Sequence, residues 1–423
     1  MSKFIDNLKK LNILDYLLVF MLIATSGIMY FYSNVQYIIA GLFIGLVVFF
    51  NRRIPEKTDR LFILIFLLFI SWEFMQNFYF QSYSLKQLFG TAIRFLFAYI
   101  VIKVAGKKFI DSYVNIIFVL SIISLVFYIS YFFPAIRDIL ISNAIKEPLF
   151  PLENDTYKFT PNYILVNFGG WQETRNAGPF WEPGAFAAFL NIALVFNIIK
   201  RKRMFDAINI VFIAALITTL STAGFITLFF VFSSAFLFTN PSIKKVLILI
   251  PMIGLFTVLI INMEFLLPKI KDNVIIAKND NSSRFGSALS DYELIYKNPF
   301  IGYGRDYGNI YKTSTWDTKK MHRNNGITNF ITRWGLIISF VFFGCYKLSA
   351  NKIVSYYSAN KLFSWVFLIT MLLLGFSQGL FQYPFFYSLA FLQFGYKQTA
   401  EYKTENNVPD YPEKQQELSF TEV

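Results

Sequence analysis

The sequence is poor in the residues that build metal and thiol chemistry, with one cysteine, Cys345, and one histidine, His322. A single cysteine excludes an intramolecular disulfide and a cysteine metal cluster. Charged residues make up only 15% of the chain, and no Asp/Glu/His cluster in it is arranged like the oxygen- and nitrogen-ligand sites that proteins use for metals. The sequence therefore predicts no metal site, and we expect no cofactor.

Hydrophobic residues make up 55% of the 423 residues, including 52 Phe and 25 Tyr. With a mean hydropathy of +0.48, this composition is typical of lipid-facing helices and not of two or three soluble domains. A spanning helix needs about 20 apolar residues. We therefore predict an all-α, polytopic membrane protein with about 12 transmembrane helices, and the segments are 13–32, 35–50, 61–79, 87–102, 109–133, 183–199, 204–220, 222–239, 246–263, 327–346, 362–381 and 384–396.

The loops between these segments differ sharply in charge. Among the short loops, one side contains only Lys86, whereas the other side is rich in lysine and arginine. The basic residues of that richer side are Lys3, Lys9, Lys10, Arg52, Arg53, Lys57, Arg60, Lys103, Lys107, Lys108, Lys200, Arg201, Lys202, Arg203, Lys244, Lys245, Lys347, Lys352 and Lys361. Because basic short loops stay in the cytoplasm, we predict cytoplasmic termini and two large extracytoplasmic loops, 134–182 and 264–325. The same bias explains most of the net charge of +13 without a nucleic-acid partner.

Two domains follow from this organisation. Residues 1–397 are predicted to form one membrane-embedded domain. Residues 398–423 are polar, with Pro409, Pro412 and mixed charge. That composition is typical of a disordered segment, here a cytoplasmic tail.

The second large loop is basic and aromatic, which indicates an anionic ligand at the membrane surface.

Two further arginines fall inside predicted spans. Arg94 lies several residues from either end of its span. Placing an arginine at that depth in the membrane costs roughly several kcal/mol unless the side chain faces a partner or water. It either lines a cavity that receives a phosphate or snorkels to the outer interface. Arg333, beside Trp334, is closer to its span's end and equally consistent with an interfacial anchor.

The first large loop ends in a segment that holds Arg175 and Glu182 just before a span. Gly178-Pro179 and Pro183-Gly184 predict turns there, and Pro183 suits the first turn of a helix. Helix N-termini favour anions, and arginine can bind phosphate oxygens in a bidentate way. Arg175 is therefore a candidate phosphate ligand, and an Arg175–Glu182 ion pair that fixes the loop is the alternative.

Three motifs on the predicted outer side resemble those of the bacterial O-antigen ligase and polymerase superfamily of membrane glycosyltransferases. The resemblance covers roughly residues 171–340 and the overall span count. The motifs are Arg175-Asn176-Ala177-Gly178-Pro179-Phe180-Trp181-Glu182-Pro183, then Ser283-Arg284-Phe285 with Asn298-Pro299-Phe300-Ile301-Gly302-Tyr303-Gly304-Arg305, then Asn324-Asn325 followed by Gly335-Leu336-Ile337.

This resemblance implies a polyprenyl-diphosphate-linked oligosaccharide as donor, handled on the outer face of the cytoplasmic (inner) membrane without a metal. It implies that Arg175, Arg284 and Arg305 grip the diphosphate, while Arg94 lines the route of the lipid. The membrane lipid itself, a flippase and a chain-length regulator are the expected partners. The implied reaction joins repeat units into a polysaccharide. A ligase that transfers the glycan to lipid A core or protein, and a flippase or transporter of lipid-linked sugars, are the alternatives.

The chain departs from the superfamily's ligases at the catalytic base, the residue that would deprotonate the acceptor hydroxyl. Ligases of the superfamily have a His-Asn pair about eleven residues before a glycine. Counting back from Gly335 reaches Asn324, and His322 lies two positions earlier. This offset favours polymerase over ligase. His322 is the first candidate for the catalytic base, and Glu182 is the second, although the neighbouring Arg175 makes a carboxylate less basic.

Overall fold

A computed structural model describes residues 13–32, 34–52, 54, 59–82, 84–151, 157–167, 175–239, 242–262, 284–306, 308–310 and 323–396. The chain is mostly helical. Its α-helices in chain order are α1 Ile13–Gly27, α2 Val35–Asn51, α3 Arg60–Tyr79, α4 Leu85–Ala105, α5 Phe109–Tyr131, α6 Pro134–Ser142, α7 Pro183–Arg201, α8 Ala207–Thr218, α9 Thr222–Thr239, α10 Ile243–Asn262, α11 Arg284–Lys297, α12 Gly326–Tyr356, α13 Phe363–Ser377 and α14 Pro384–Phe391.

Each of the predicted apolar segments contains one of these helices. Five helical runs among the described residues are long and apolar enough to cross a membrane: Arg60–Tyr79, Leu85–Tyr131, Pro183–Arg201, Thr222–Thr239 and Gly326–Tyr356. Five further apolar runs among the described residues are shorter, at 10–17 residues: Ile13–Gly27, Val35–Asn51, Ala207–Thr218, Phe363–Ser377 and Pro384–Phe394. Helix α13, for example, ends before Gln378-Gly379, earlier than the hydropathy pattern predicts. The chain is thus a membrane-embedded protein, while twelve spans and their direction remain predictions.

Helix α7 lies deep in the bundle, and its side chains from Ala185 to Ile199 are all buried. It packs against α5, α8, α9 and α13. Aromatic rings fill the contacts around it; Phe189, for example, stacks on Phe385 of α14 at 4.9 Å between ring centroids. This packing fixes the start of α7, where Glu182 lies.

Ion pairs hold the helices together at one end of the bundle. Arg52 Nη1 lies 2.5 Å from Asp15 Oδ1, and Lys103 Nζ lies 3.0 Å from Asp59 Oδ2. Lys200 pairs with Asp111. These three cations lie in or next to loops predicted to face the cytoplasm, and each of the three has its own carboxylate.

The first large loop is more structured than predicted. It contains α6 and a small antiparallel sheet in the order β1 (Ile145–Pro151), β2 (Tyr157–Tyr163), β3 (Val166–Asn167). This small sheet lies in a loop, and the predicted all-helical fold class is confirmed. Hydropathy could not reveal these strands, because a short sheet in a loop needs no apolar run.

Helix α12 is broken at Gly335, whose φ of 74° and ψ of 170° are not helical. The loop that follows α11 is inserted at this break: Leu336 N donates to Pro299 O at 2.8 Å, and Gly304 N donates to Arg333 O at 2.9 Å. Gln76 Nε2 of α3 donates to Ile301 O at 2.5 Å and to Arg333 O at 2.8 Å. The Gly302-Tyr303-Gly304 turn therefore lies against the broken helix, and the break positions Arg305.

We predict that Gly335→Ala destabilises the protein. A β-carbon at Gly335 would overlap Phe300 O, and its positive φ is unfavourable for alanine. We expect a loss of about 3 kcal/mol or more in the free energy of unfolding, measured as thermal or denaturant unfolding in detergent. Gly344→Ala is the matched control, since nothing lies within 4 Å of a β-carbon there. Equal stability of the two variants would contradict the role given to the break.

Candidate functional site

The segment that carries Arg175 is held by backbone and side-chain hydrogen bonds. Arg175 Nε donates to Thr219 O at 3.0 Å. Asn176 N donates to Thr218 O at 3.0 Å, and Asn176 Nδ2 donates to Thr218 Oγ1 at 2.9 Å. These bonds fix the segment to the end of α8. The Arg175 guanidinium is consequently anchored on one edge, at Nε.

Glu182 is the residue that precedes α7, with extended φ and ψ of −156° and 160°. Pro183 occupies the first turn of the helix, as predicted, and the Glu182 side chain makes no capping hydrogen bond. Trp181 N donates to Gly27 O at 3.3 Å, which ties this turn to the end of α1. The carboxylate is therefore directed by the turn and not by the helix end.

Arg284 is the first residue of α11, which packs against the beginning of α12. Ser287 Oγ accepts hydrogen bonds from Asn324 N at 3.0 Å and from Asn325 N at 3.5 Å. Asn325 in turn caps α12, its Oδ1 accepting from Ile327 N at 3.1 Å. Helix α11 thus delivers Arg284 to the N-terminus of α12.

These elements surround one open cavity of about 410 Å³, a volume within the range of small-molecule sites. It will be called the arginine cavity. Two buried donors at its wall, Ser377 Oγ and Gln378 Nε2, have no hydrogen-bond partner among the described residues. Its lining residues are Trp181, Glu182, Arg284, Arg323, Asn324, Ser377, Gln378, Gly379, Gln382 and Tyr383.

Electrostatic interactions join Arg175, Glu182 and Arg284. Burial lowers the pKa of Arg175 from its ordinary value; the Glu182 carboxylate opposes this shift, and Arg284 adds to it. Burial likewise lowers the pKa of Arg284, and Glu182 opposes that shift. One carboxylate thus interacts with two half-buried guanidinium groups, and this arrangement suits an anionic ligand.

A second group of charges lies next to the arginine cavity and will be called the inner arginine group. It consists of Arg94, Arg305, Arg333 and the buried Glu73. A β-carbon at Gly90 would lie 3.1 Å from Arg94 Nη1 and 3.9 Å from Arg305 Nη1, so both guanidinium groups face the same space. Glu73, 1% exposed, interacts electrostatically with Arg305 and Arg94.

The inner arginine group is positioned by α4 and by the loop at the Gly335 break. Arg305 Nη1 donates to Thr91 Oγ1 at 2.6 Å and to Gln87 O at 3.4 Å. Arg333 Nη1 donates to Gln382 Oε1 at 3.1 Å. A small cavity of about 20 Å³ lies against Arg305, Arg333 and Gln382, which is room for about one water molecule.

Arg175, Arg284 and Arg305 were expected to converge on one ligand. Arg284 lines the arginine cavity and Arg175 interacts electrostatically with Arg284 and Glu182, whereas Arg305 lines the smaller neighbouring cavity. Arg305 lies with Arg94 instead, because the loop at the Gly335 break carries it to α4. Gln382 and Gly379 line both cavities, so the two groups adjoin. His322, the tail 398–423 and several loop aromatics lie outside the described residues.

Sequence reasoning missed two charged residues of these groups. Glu73 lies inside a predicted span, and a carboxylate at such a position is a signal for function in its own right. Arg323 was counted with the basic loop, but its position at the cavity wall depends on Asp291, which lies far away in the sequence. No group of three or more His, Cys, Asp or Glu side chains that could hold a metal occurs in the described part of the chain.

We predict that Glu73→Gln destabilises the protein, because the substitution removes the carboxylate that faces Arg94 and Arg305 inside the bundle. The expected loss is about 1–3 kcal/mol in the free energy of unfolding. Melting in detergent, with and without added pyrophosphate, measures it. Glu293→Gln is the control, since Glu293 pairs with Lys297 on the surface of α11. A Glu73→Gln variant as stable as the wild type would contradict this role.

No family model, curated protein or solved structure matches the chain. The chemistry of the site therefore has to be argued from its own residues. They comprise Glu182, Arg284 and Arg323 at the arginine cavity and Arg175, which interacts with Glu182 and Arg284, with the inner arginine group beside them. Fixed guanidinium groups around an open cavity bind phosphate or carboxylate groups best.

Proposed function

We propose that the chain is a membrane glycosyltransferase of the O-antigen polymerase type. It joins oligosaccharide repeat units carried on polyprenyl diphosphate, at the outer face of the cytoplasmic membrane. Arg175 and Arg284 bind the diphosphate of the donor in the arginine cavity. The proposal rests on the sequence resemblance and on one geometric observation.

That observation is the meeting of residues from two motifs that are far apart in the sequence. Arg175 and Glu182 come from the first large loop, and Arg284 comes from the second. All three interact electrostatically, and Glu182 and Arg284 line the same open cavity. Since burying guanidinium groups without counter-ions is unfavourable, the cavity is suited to an anion from outside.

The proposed reaction needs little beyond this arrangement. The acceptor hydroxyl oxygen attacks the anomeric carbon of the donor sugar, and the bond from that carbon to the phosphate oxygen breaks. The polyprenyl diphosphate leaves with the electron pair, and the hydroxyl proton passes to a base. Charge grows on the diphosphate as the bond breaks, so the fixed arginines stabilise the transition state more than the ground state. Glu182 is the described residue placed to accept the proton.

Aromatic rings at the cavity wall suit the sugar part of such a substrate. Trp181 and Tyr383 both line the cavity, with ring centroids 5.6 Å apart. Tyr32 stacks on Trp181 at 5.2 Å. A tryptophan at a membrane surface can serve as an interfacial anchor or stack on a sugar, and the place of Trp181 at the cavity favours stacking. Apolar ring faces beside arginines would bind the sugar and the diphosphate of one donor.

The decisive test replaces Arg284 by Ala in the host and examines the surface polysaccharide on a gel. We expect single repeat units on the acceptor and a fall in polymerisation of about 100-fold or more, since loss of one charge-stabilising donor typically costs that much. Arg137→Ala is the matched control, because Arg137 is exposed and pairs with its neighbour Asp138.

Other outcomes of this experiment identify the alternatives. Long carrier-linked chains without any on the acceptor would indicate a ligase. Undecorated acceptor with repeat units trapped in the cytoplasm would indicate a flippase. Normal polysaccharide in the Arg284→Ala strain would overturn the proposed role of the arginine cavity.

A further inference from the structure

Arg323 is the most deeply buried cation at the arginine cavity. Its side chain is 4% exposed, and its Nη2 forms an ion pair with Asp291 Oδ1 of α11, a carboxylate that is itself fully buried. The other oxygen of Asp291 accepts a hydrogen bond from Thr328 Oγ1 at 2.6 Å. Both oxygens of Asp291 are thus engaged, and the Arg323 guanidinium is held in one orientation.

The remaining donors of Arg323 have no partner in the described residues. Neither Nε nor Nη1 makes a hydrogen bond, although both are buried. A buried charged donor without an acceptor is unfavourable. The side chain lines the arginine cavity beside Arg284 and Glu182, so a ligand in that cavity can supply the missing acceptors.

Helix α11 also sets the position of Arg323 relative to Arg284. Arg284 begins this helix, and Asp291, which holds Arg323, lies two helical turns further along on the same face. The bonds from Asn324 N and Asn325 N to Ser287 Oγ add a second attachment between the same segments. The two guanidinium groups are therefore fixed by one rigid element.

Two fixed cations at one cavity suit a ligand with two linked anionic groups. We propose that Arg323 is the specificity-determining residue of the arginine cavity: it binds one phosphate of a diphosphate while Arg284 binds the other. Asp291 is its positioning residue. This inference rests on the proposed function and explains how the site prefers a diphosphate-linked carrier to a monophosphate-linked one.

The test measures the binding of farnesyl diphosphate and farnesyl monophosphate to the full chain in detergent, by calorimetric titration. The wild type should bind the diphosphate more tightly. Arg323→Ala should weaken diphosphate binding about tenfold or more, which corresponds to about 1.4 kcal/mol, with little effect on the monophosphate. Arg323→Lys should also weaken diphosphate binding, since a lysine cannot both pair with Asp291 and present two further donors to a phosphate.

Two further variants separate binding from folding. Asp291→Asn keeps the shape of the side chain but loses the charge that orients Arg323. Like the Arg323 variants, it should therefore reduce the preference for diphosphate over monophosphate. Glu293→Gln, on the same helix but paired with Lys297, should leave it unchanged. If Arg323→Ala does not fold, as judged by its melting curve, Arg323→Lys and Asp291→Asn decide the question.

Two results would overturn these assignments, and they are distinguishable. An unchanged preference in the Arg323 and Asp291 variants, or an equal loss for both lipids, would overturn the role of Arg323 and leave the proposed function standing. A wild type that binds neither lipid would overturn the proposed function and this inference together.

Discussion

The structure depends on how its charges are balanced at the two ends of the helix bundle. At one end, cations such as Arg52 and Lys103 each pair with a carboxylate, Asp15 and Asp59. At the other end, arginines outnumber the carboxylates that interact with them. Such an excess costs free energy unless an anion or water compensates it. The ion pairs at the first end stabilise the fold, whereas the excess arginines at the second end are the ones that the proposed function uses.

Uncharged groups help to orient these arginines. Arg175 is oriented by the carbonyl of Thr219, and Arg305 by the hydroxyl of Thr91. Carboxylates act beside them: Arg323 pairs with Asp291, Arg175 interacts with Glu182, and Arg305 interacts with Glu73. A neutral acceptor orients a guanidinium group without neutralising it. The break at Gly335 also positions an arginine, because it lets a loop enter the helix layer and place Arg305 beside α4.

The features of the structure that could be predicted from the sequence are those encoded by local patterns. Apolar runs predicted a helix in every expected segment, and Pro183 predicted the start of α7. The separation of Arg305 from Arg284 could not be predicted in this way. It depends on hydrogen bonds between Gln76 and the loop near Ile301, which join residues far apart in the sequence. Asp291 likewise meets Arg323 only through the packing of α11 on α12.

The distribution of these charges also bears on the choice between an enzyme and a transporter. Transporters bind substrates near the middle of the membrane, at broken helices. The break at Gly335 has that character, but the space beside it holds about one water molecule, whereas the arginine cavity is about 410 Å³. Half of the residues that line the larger space come from the two large loops, including the start of α11, and the other half come from the end of α13 and the segment before α14. The proposed diphosphate site therefore lies where loops and helix ends meet and not at the Gly335 break, which agrees with the proposed chemistry at the membrane surface.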